Sequence, residues 1–284
     1  MQTQDEFVAH RSKLLSLAYR MLGSKAEAED VLQEAWLRWS TVDPSTVESS
    51  EGWLTTVVSR LCMDQLKSAR ARREQYVGPW LPEPVLTREP VDSGAISLAF
   101  LVLLESLGPV ERAAYLLHEV FDYRHSEIAR ILDKDEAAVR QLVHRARARV
   151  QEGRPRFAPS REEHQRMLEA FFQAVWKGDV EAVEAALTKD ATLWADSNGK
   201  VRGAASKPVH GAAAIARFLV GLRQKFPAPT GLTVGTEEVN GWPAIVGRVG
   251  GTAEFVITIE TDGAQIHALR NVVNPEKLRL QSLE

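Results

Sequence analysis

Two stretches of this sequence concentrate positive charge. Arg60, Lys67, Arg70, Arg72 and Arg73 fall close together against a single acid, Asp64. Arg140, Arg145, Arg147 and Arg149 follow later, with Gln141 and His144 among them and no acid between 140 and 149. Guanidinium and ammonium groups hold phosphates, arginine can bridge two acceptors on guanine, and glutamine can pair with adenine. The first chemistry to expect is therefore recognition of nucleic acid, not a reaction. Asp30, Gln33, Glu34 and Leu37 stand at i, i+3, i+4 and i+7, which puts acids and a leucine on one helix face. Such a face suits a protein partner. Acid–base catalysis would need a carboxylate or imidazole facing a partner inside a pocket. The second half offers Asp196, His210, Glu254, Glu260 and His267, but none forms a recognisable pair by spacing. With no metal-ligand spacing and no phosphate-binding glycine loop, no catalytic residue, metal or cofactor is expected. Cys62, the sole cysteine, excludes an intrachain disulfide and reads as a small core residue between Leu61 and Met63.

Helices must carry the two basic stretches. Phe7, Leu14, Leu15, Ala18, Tyr19 and Leu22 recur at helical spacing, and Gly23 can supply a left-handed stop. Ser24 with Glu27 resembles a capping box opening a second helix through Trp39. After Asp43-Pro44-Ser45, the residues Trp53, Leu54, Val57, Leu61 and Leu66 mark a third helix that runs into the first basic stretch. Gly78, Pro79, Pro82, Pro84, Pro90 and Gly94 make Glu74 to Ser93 a linker, although Trp80, Leu81, Val85 and Leu86 are too apolar for a mere spacer. The chain turns helical again from Ile96 to Val150. Proline 109 suits a first helical turn. Ser126 is expected to cap Glu127 to Leu132, and Asp133 with Glu136 to cap Ala137 to Val150. Helix, short turn, basic helix is the layout of a helix-turn-helix reader of DNA. Beyond a second linker, Glu152 to Ser160, helices are expected over Arg161 to Lys177, Val180 to Leu187 and Gly211 to Lys225. Strands are expected over Leu232 to Val239, Ala244 to Val249, Ala253 to Thr261 and Gln265 to Val273. That order means a segregated α+β domain.

Composition sets the limits. The 284 residues fit two or three domains, and 44% apolar with 26% charged content is ordinary for a globular chain. The start is polar and acidic, without the pattern of a signal peptide, and no apolar run approaches the ~20 residues of a membrane helix. A cytoplasmic protein without a membrane partner is expected. The net charge of −3 argues against a sequence-blind DNA coat while hiding two basic faces.

The helical half resembles the two DNA-reading modules of RNA polymerase sigma factors of the small, extracytoplasmic-function type. Glu27 to Trp39 resembles the region-2 helix that docks on the polymerase clamp, and Trp53 to Asp64 the helix that follows it and faces the −10 element. Leu107-Gly108-Pro109-Val110-Glu111-Arg112, Phe121-Asp122-Tyr123, Glu127 to Leu132 and Ala138 to Arg147 resemble region 4, which reads the −35 element. The remainder resembles the group of these factors that bears a SnoaL-like tail of NTF2-like fold. Trp80-Leu81-Pro82-Glu83-Pro84 matches its linker motif, and Asn274-Pro275-Glu276-Lys277-Leu278 its terminal motif with Glu for Asp. Asp196-Ser197-Asn198-Gly199-Lys200 is similar to its Asp-Gly-Gly-Gly-Lys loop with two glycines replaced, so the conformation of that loop transfers least securely.

The resemblance implies a multidomain architecture: two all-α sigma modules (1–73 and 96–152), a linker (74–95) and an α+β NTF2-like cone (161–284). It implies core polymerase, through the β′ clamp coiled coil, and promoter DNA as partners, a free monomer, and room for an unidentified small ligand in the tail pocket. Asp30, Gln33, Glu34 and Leu37 would touch the polymerase. Arg60, Lys67, Arg70, Arg72, Arg73, Arg140, Gln141, His144, Arg145 and Arg147 would touch DNA, with Arg149 a further phosphate contact. Trp80, Leu81, Pro82, Glu83, Pro84, Asp196, Gly199, Lys200, Asn274, Pro275, Lys277 and Leu278 would join linker to tail, which would act as a built-in regulator. Two rivals remain at this point: a SnoaL-type cyclase or isomerase fused to a DNA-binding module, and a ligand-sensing helix-turn-helix repressor.

Overall fold

The structure is a computed structural model that describes residues 2–87, 96–153 and 159–283, excepting the side chains of residues 2, 3 and 69–74. Arg70, Arg72 and Arg73, three of the expected DNA contacts, therefore lie outside the described side chains. The chain divides into two compact units: Met1–Glu74 with Phe100–Arg154 and the last two residues, and Gln75–Ala99 with Pro155–Ser282.

The first unit is all helix. α1 (Gln2–Leu22), α2 (Lys25–Trp39) and α3 (Ser50–Glu74) pack around Leu14, Ala18, Tyr19, Leu22, Ala28, Ala35, Trp39, Leu54 and Val58, all buried. Gly23 ends α1 at φ 70°, donating its N–H to the Tyr19 carbonyl at 2.7 Å. The Ser24 hydroxyl accepts from Glu27 N at 3.4 Å and opens α2. Cys62 is fully buried, which pushes its thiol pKa up and leaves it inert. α4 (Leu98–Leu104), α5 (Pro109–Glu119), α6 (His125–Leu132) and α7 (Glu136–Gly153) complete the unit.

Two expected caps differ. Arg124, not Ser126, stands at the cap of α6, and the Glu127 carboxylate reaches back to Arg124 N at 2.8 Å. Asp135, not Asp133, caps α7, accepting from Ala138 N at 2.7 Å. Asp133 instead ends α6 in the left-handed region at φ 53°, where Asp is tolerated. Both shifts are of two residues, within the span over which short polar side chains compete for the backbone near a helix end.

The second unit is α+β. A six-stranded sheet of order β2-β1-β6-β5-β4-β3 is built from β1 (Leu187–Asp196), β2 (Val209–His210), β3 (Leu232–Val239), β4 (Trp242–Val249), β5 (Thr252–Thr261) and β6 (Ile266–Val272). All pairs are antiparallel except β1 with β6. α8 (Arg161–Lys177), α9 (Val180–Ala185) and α10 (Ala212–Lys225) pack with the sheet around Leu168, Phe171, Val183, Leu193, Ile215, Ile245, Ile259 and Leu269. Ser160 and Glu163 cap α8 reciprocally. Gly247 is required in β4, because a Cβ there would lie 2.2 Å from the Phe255 ring.

The expected helix over Val180 to Leu187 is shorter than expected, and Leu187 already belongs to a strand. β1 escapes the sequence pattern because Lys189 and Asp190 are exposed in succession and the register shifts between Leu187 and Thr192. No clean alternation survives that irregularity.

Candidate nucleic-acid and protein interfaces

On α2 the residues Ala28, Val31, Leu32, Ala35 and Trp39 are buried. The opposite face carries Asp30, Gln33, Glu34 and Leu37. Leu37 is 61% exposed, an uncommon position for a large apolar side chain, and Glu34 is held by Arg38 at 2.8 Å.

α7 buries Val139, Val143, Ala146 and Val150. At helical spacing, the outermost line then runs through Gln141, His144 and Arg145, all exposed. Arg140, Arg147 and Arg149 flank that line. The sequence shows no acid between 140 and 149, but the fold supplies acids from α5. Arg147 pairs with Glu119 at 2.5 Å. Arg149 and Arg145 share Glu111, at 2.8 and 3.8 Å. Arg140 pairs with Glu136 in its own first turn. Arg147 and Arg149 thus brace α7 against α5, a role that spacing alone did not suggest. The His118 and His125 rings meet at a tilt, 4.3 Å between centres, at the start of the helix-turn-helix.

α3 is packed against the helix-turn-helix. Arg60 is exposed, and its Nε donates to the Ile131 carbonyl of α6 at 3.4 Å. Lys13 pairs with Glu51 at 2.6 Å, and the Tyr123 hydroxyl donates to the same carboxylate at 3.1 Å and lies 3.1 Å from the Thr55 hydroxyl. Arg112 of α5 reaches the Met21 carbonyl at 2.7 Å and Glu105 at 2.9 Å. Lys67, exposed, pairs with Asp64 at 2.8 Å.

In the second unit, Asp196 ends β1 with its side chain fully buried. It accepts from Leu81 N at 2.7 Å, from Lys277 at 2.7 Å and from the Tyr76 hydroxyl. Lys277 also donates to the Leu81 carbonyl at 2.5 Å and lies over the rings of Trp80, at 4.3 Å, and Tyr76, at 5.0 Å. Asn274 donates to the Tyr76 oxygen at 2.8 Å. Burial and then the Asp196 carboxylate push the Tyr76 phenol pKa up, so it stays a proton donor. Leu81, Pro82, Pro84 and Leu278 are buried, Glu83 partly, and Pro275 is exposed. Lys200 pairs with Glu276 at 2.5 Å. Gly199 adopts φ 68°, and a Cβ there would lie 3.0 Å from Val77. Asn198 takes φ 46°, so this loop turns left-handed although asparagine stands for glycine.

Two members of this joint were not anticipated. Tyr76 lies in the linker without a motif around it. Asn240 sits with Gly241 at positive φ in the β3–β4 hairpin, the residue pair that tight hairpins favour. Its side chain accepts from Val85 N at 3.1 Å and donates to the Ile96 carbonyl at 3.0 Å. An Asn-Gly pair flags the turn in a sequence; nothing there flags what the amide holds.

The acid–base candidates of the tail do not face one another. Glu260 pairs with Arg270, His267 with Asp262 at 3.0 Å, and His210 lies 3.1 Å from the Thr192 hydroxyl. Glu254 is exposed. Among the described residues no group of three or more potential metal ligands occurs, and no helix is long and apolar enough to cross a membrane.

A helical module with an acidic, leucine-bearing outer face, followed by a helix-turn-helix with a basic second helix, defines a two-module promoter-reading protein. Residues 7–72 match Sigma-70 region 2 and residues 97–150 match Sigma-70 region 4. The chain is 38% identical over 296 residues to the ECF RNA polymerase sigma factor SigJ of Mycobacterium tuberculosis, spanning 96% of this chain and 92% of that one. It is 30% identical over 278 residues to the probable ECF RNA polymerase sigma factor SigI of the same species, spanning 95% and 92%. The crystal structure of M. tuberculosis SigJ superposes with a TM-score of 0.76 at 34% identity over 99% of both chains. The chain therefore belongs to the extracytoplasmic-function RNA polymerase sigma factors, which are transcription initiation factors and not enzymes.

Proposed function

We propose that α2 docks on the β′ clamp coiled coil of core polymerase through Asp30, Gln33, Glu34 and Leu37. In this reading the basic end of α3 attends the −10 element and α7 reads the −35 element with Arg140, Gln141, His144 and Arg145. The observation that carries the docking assignment is Leu37, 61% exposed on a face flanked by acids. Substituting both Asp30 and Glu34 by Arg is expected to abolish binding to core enzyme and run-off transcription while leaving the circular dichroism spectrum intact. Unchanged affinity in that folded variant overturns the assignment.

Sites centred at −10 and −35 are about 85 Å apart at roughly 3.4 Å per base pair. Helices joined at Arg60–Ile131 and Glu51–Tyr123 cannot reach both at once. The packed helical unit is thus a closed form, and promoter reading requires the seam between α1–α3 and α5–α7 to part. The tail, which holds the linker through Asp196, Lys277 and Asn240, tunes how freely that happens. The factor works in the cytoplasm, where core polymerase is found, and is a monomer until it binds core. The buried Asp196 carboxylate of the tail is committed to the linker and not to a ligand.

A further inference from the structure

Where α3 meets the α4–α5 turn, the helical unit carries a half-open cavity of about 470 Å³, within the ~300–1,000 Å³ range of small-molecule sites. Leu66, Leu107 and Pro109 form apolar wall. Lys67, Glu105 and Arg112 supply the charge. Arg112 is only 2% exposed, and both of its hydrogen bonds, to the Met21 carbonyl and to Glu105, leave from Nη1. Its Nε has no hydrogen-bond partner among the described residues and is itself closed to solvent, so an occupant of the cavity can meet only the Nη end of the fork. A buried guanidinium with an unused donor is costly unless something accepts from it. One carboxylate does not satisfy the whole fork, which presents five donors in a fixed plane. Lys67 is available from the other side, because its pairing with Asp64 is exposed and of little energetic weight.

We propose that this cavity is a binding site for a small organic oxyanion: a carboxylate or phosphate group on an apolar body. The oxyanion accepts from Arg112 and attracts the Lys67 ammonium, while the body lies against Leu66, Leu107 and Pro109. Glu105 stays on Arg112, leaving one net positive charge among the described lining side chains to be neutralised. Groups from both helical modules form the walls, so an occupant binds the packed arrangement and not the parted one. By mass action it favours the closed form. This second consequence rests on the closed-form reading given above; the site itself does not.

The test is calorimetric titration of the full-length protein with phenyl phosphate, benzoate and inorganic phosphate at one fixed ionic strength. Phenyl phosphate or benzoate is expected to bind saturably at one site, with inorganic phosphate at least ~10-fold weaker because it makes no apolar contact. Arg112→Lys should weaken binding but can also disturb the fold, so the deciding variant is Ser106→Trp. Ser106 is an exposed position on the cavity rim, and an indole there fills the space without removing a core contact. That variant, with its thermal unfolding still cooperative, should lose at least ~10-fold in affinity. Absence of saturable binding by either aromatic anion, or unchanged binding in Ser106→Trp, overturns the site. Equal binding of inorganic phosphate overturns the apolar body. A separate run-off assay at saturating phenyl phosphate should show fewer transcripts from wild type than from Ser106→Trp. Site-specific binding with no change in transcription leaves the site standing and overturns the closed-form consequence alone.

Discussion

The joint between linker and tail and the seam between α1–α3 and α5–α7 both connect residues far apart in sequence, but they are made differently. At the joint, Asp196 is fully buried and Lys277 is 12% exposed, and each makes several contacts with the linker. At the seam, Lys13 and Glu51 are both more than a third exposed, and the exposed Arg60 donates to the Ile131 carbonyl across a long 3.4 Å. Arg112 crosses it deeply buried, as do Arg20, over the Phe121 ring, and Thr55, beside the Tyr123 hydroxyl. Buried, fully partnered charge is expensive to separate, because parting it leaves each group unpaired in low dielectric. Exposed pairs part cheaply, since water replaces the partner. The difference suits a joint that endures and a seam that opens.

Breaking the joint should have the largest effect. Asp196→Ala leaves the Lys277 ammonium without its carboxylate and removes the acceptors of Leu81 N and Tyr76. A loss of about 3–5 kcal/mol is expected in chemical denaturation, together with loss of hydrogen-exchange protection from Leu81 to Val85. Protection that survives the substitution would mean that apolar packing of Leu81 and Val85, and not the charge, holds the linker.

Asn240→Ala comes next. It strips partners from Val85 N and the Ile96 carbonyl at the far end of the linker, at a cost of roughly 1–3 kcal/mol. Amide exchange at Val85 should accelerate while Leu81 keeps its protection.

On the recognition helix, the comparison sharpens between outward and braced arginines. Alanine at Arg140 or Arg145 is expected to cost about 1–3 kcal/mol of discrimination at one −35 position if that side chain meets a base. Alanine at Arg147 or Arg149 should weaken all sequences alike, by no more than about 1 kcal/mol, because these residues are engaged with Glu119 and Glu111. Competition binding against single-base promoter variants separates the two classes.

The seam should give the smallest effect, and one that depends on pH. The hydrogen bond from Lys13, opposed by burial, holds the Glu51 carboxyl below its ordinary value of 4.5. A lowered folded-state value means a stabilising contribution present above 4.5 and lost as pH falls through the lowered value. Glu51→Gln should therefore lower stability modestly at pH 7, where that contribution is fully present, and leave it unchanged once the carboxyl is protonated well below pH 4.5, which flattens the acid limb of the stability profile. An unaltered acid limb would show that the Lys13–Glu51–Tyr123 cluster does not tie the modules.

Much of this was written in local pattern. The helices from Phe7 to Trp39 announce themselves through apolar period and the Gly23-Ser24 boundary, and strands β3 to β6 through alternation between glycine turns. The apolar linker around Trp80 and Leu81 could be seen to need a partner, and the resemblance pointed to the loops at Asp196 and Asn274. What stayed hidden depends on approach between distant segments. β1 pairs in parallel through a register shift, so its side chains keep no simple period. The bracing of Arg147 and Arg149 comes from acids on another helix, which no count along α7 can find. Tyr76 and Asn240 are ordinary residues whose importance lies wholly in what the fold brings opposite them.

The parallel pairing of β1 with β6 has a consequence for synthesis. Strands that run in the same direction end at the same edge, so Asp196 and the Asn274–Lys277 turn meet only when β6 takes its place beside β1. Lys277 follows Gly153, the end of α7, by about 120 residues, which a ribosome adds in roughly 6–25 s. Throughout that interval the nascent linker and both promoter-reading modules exist without the lysine that completes the Asp196 site. Newly made chains thus pass through a period in which the tail has no complete hold on the linker, and slowing translation of the last hundred residues would lengthen it.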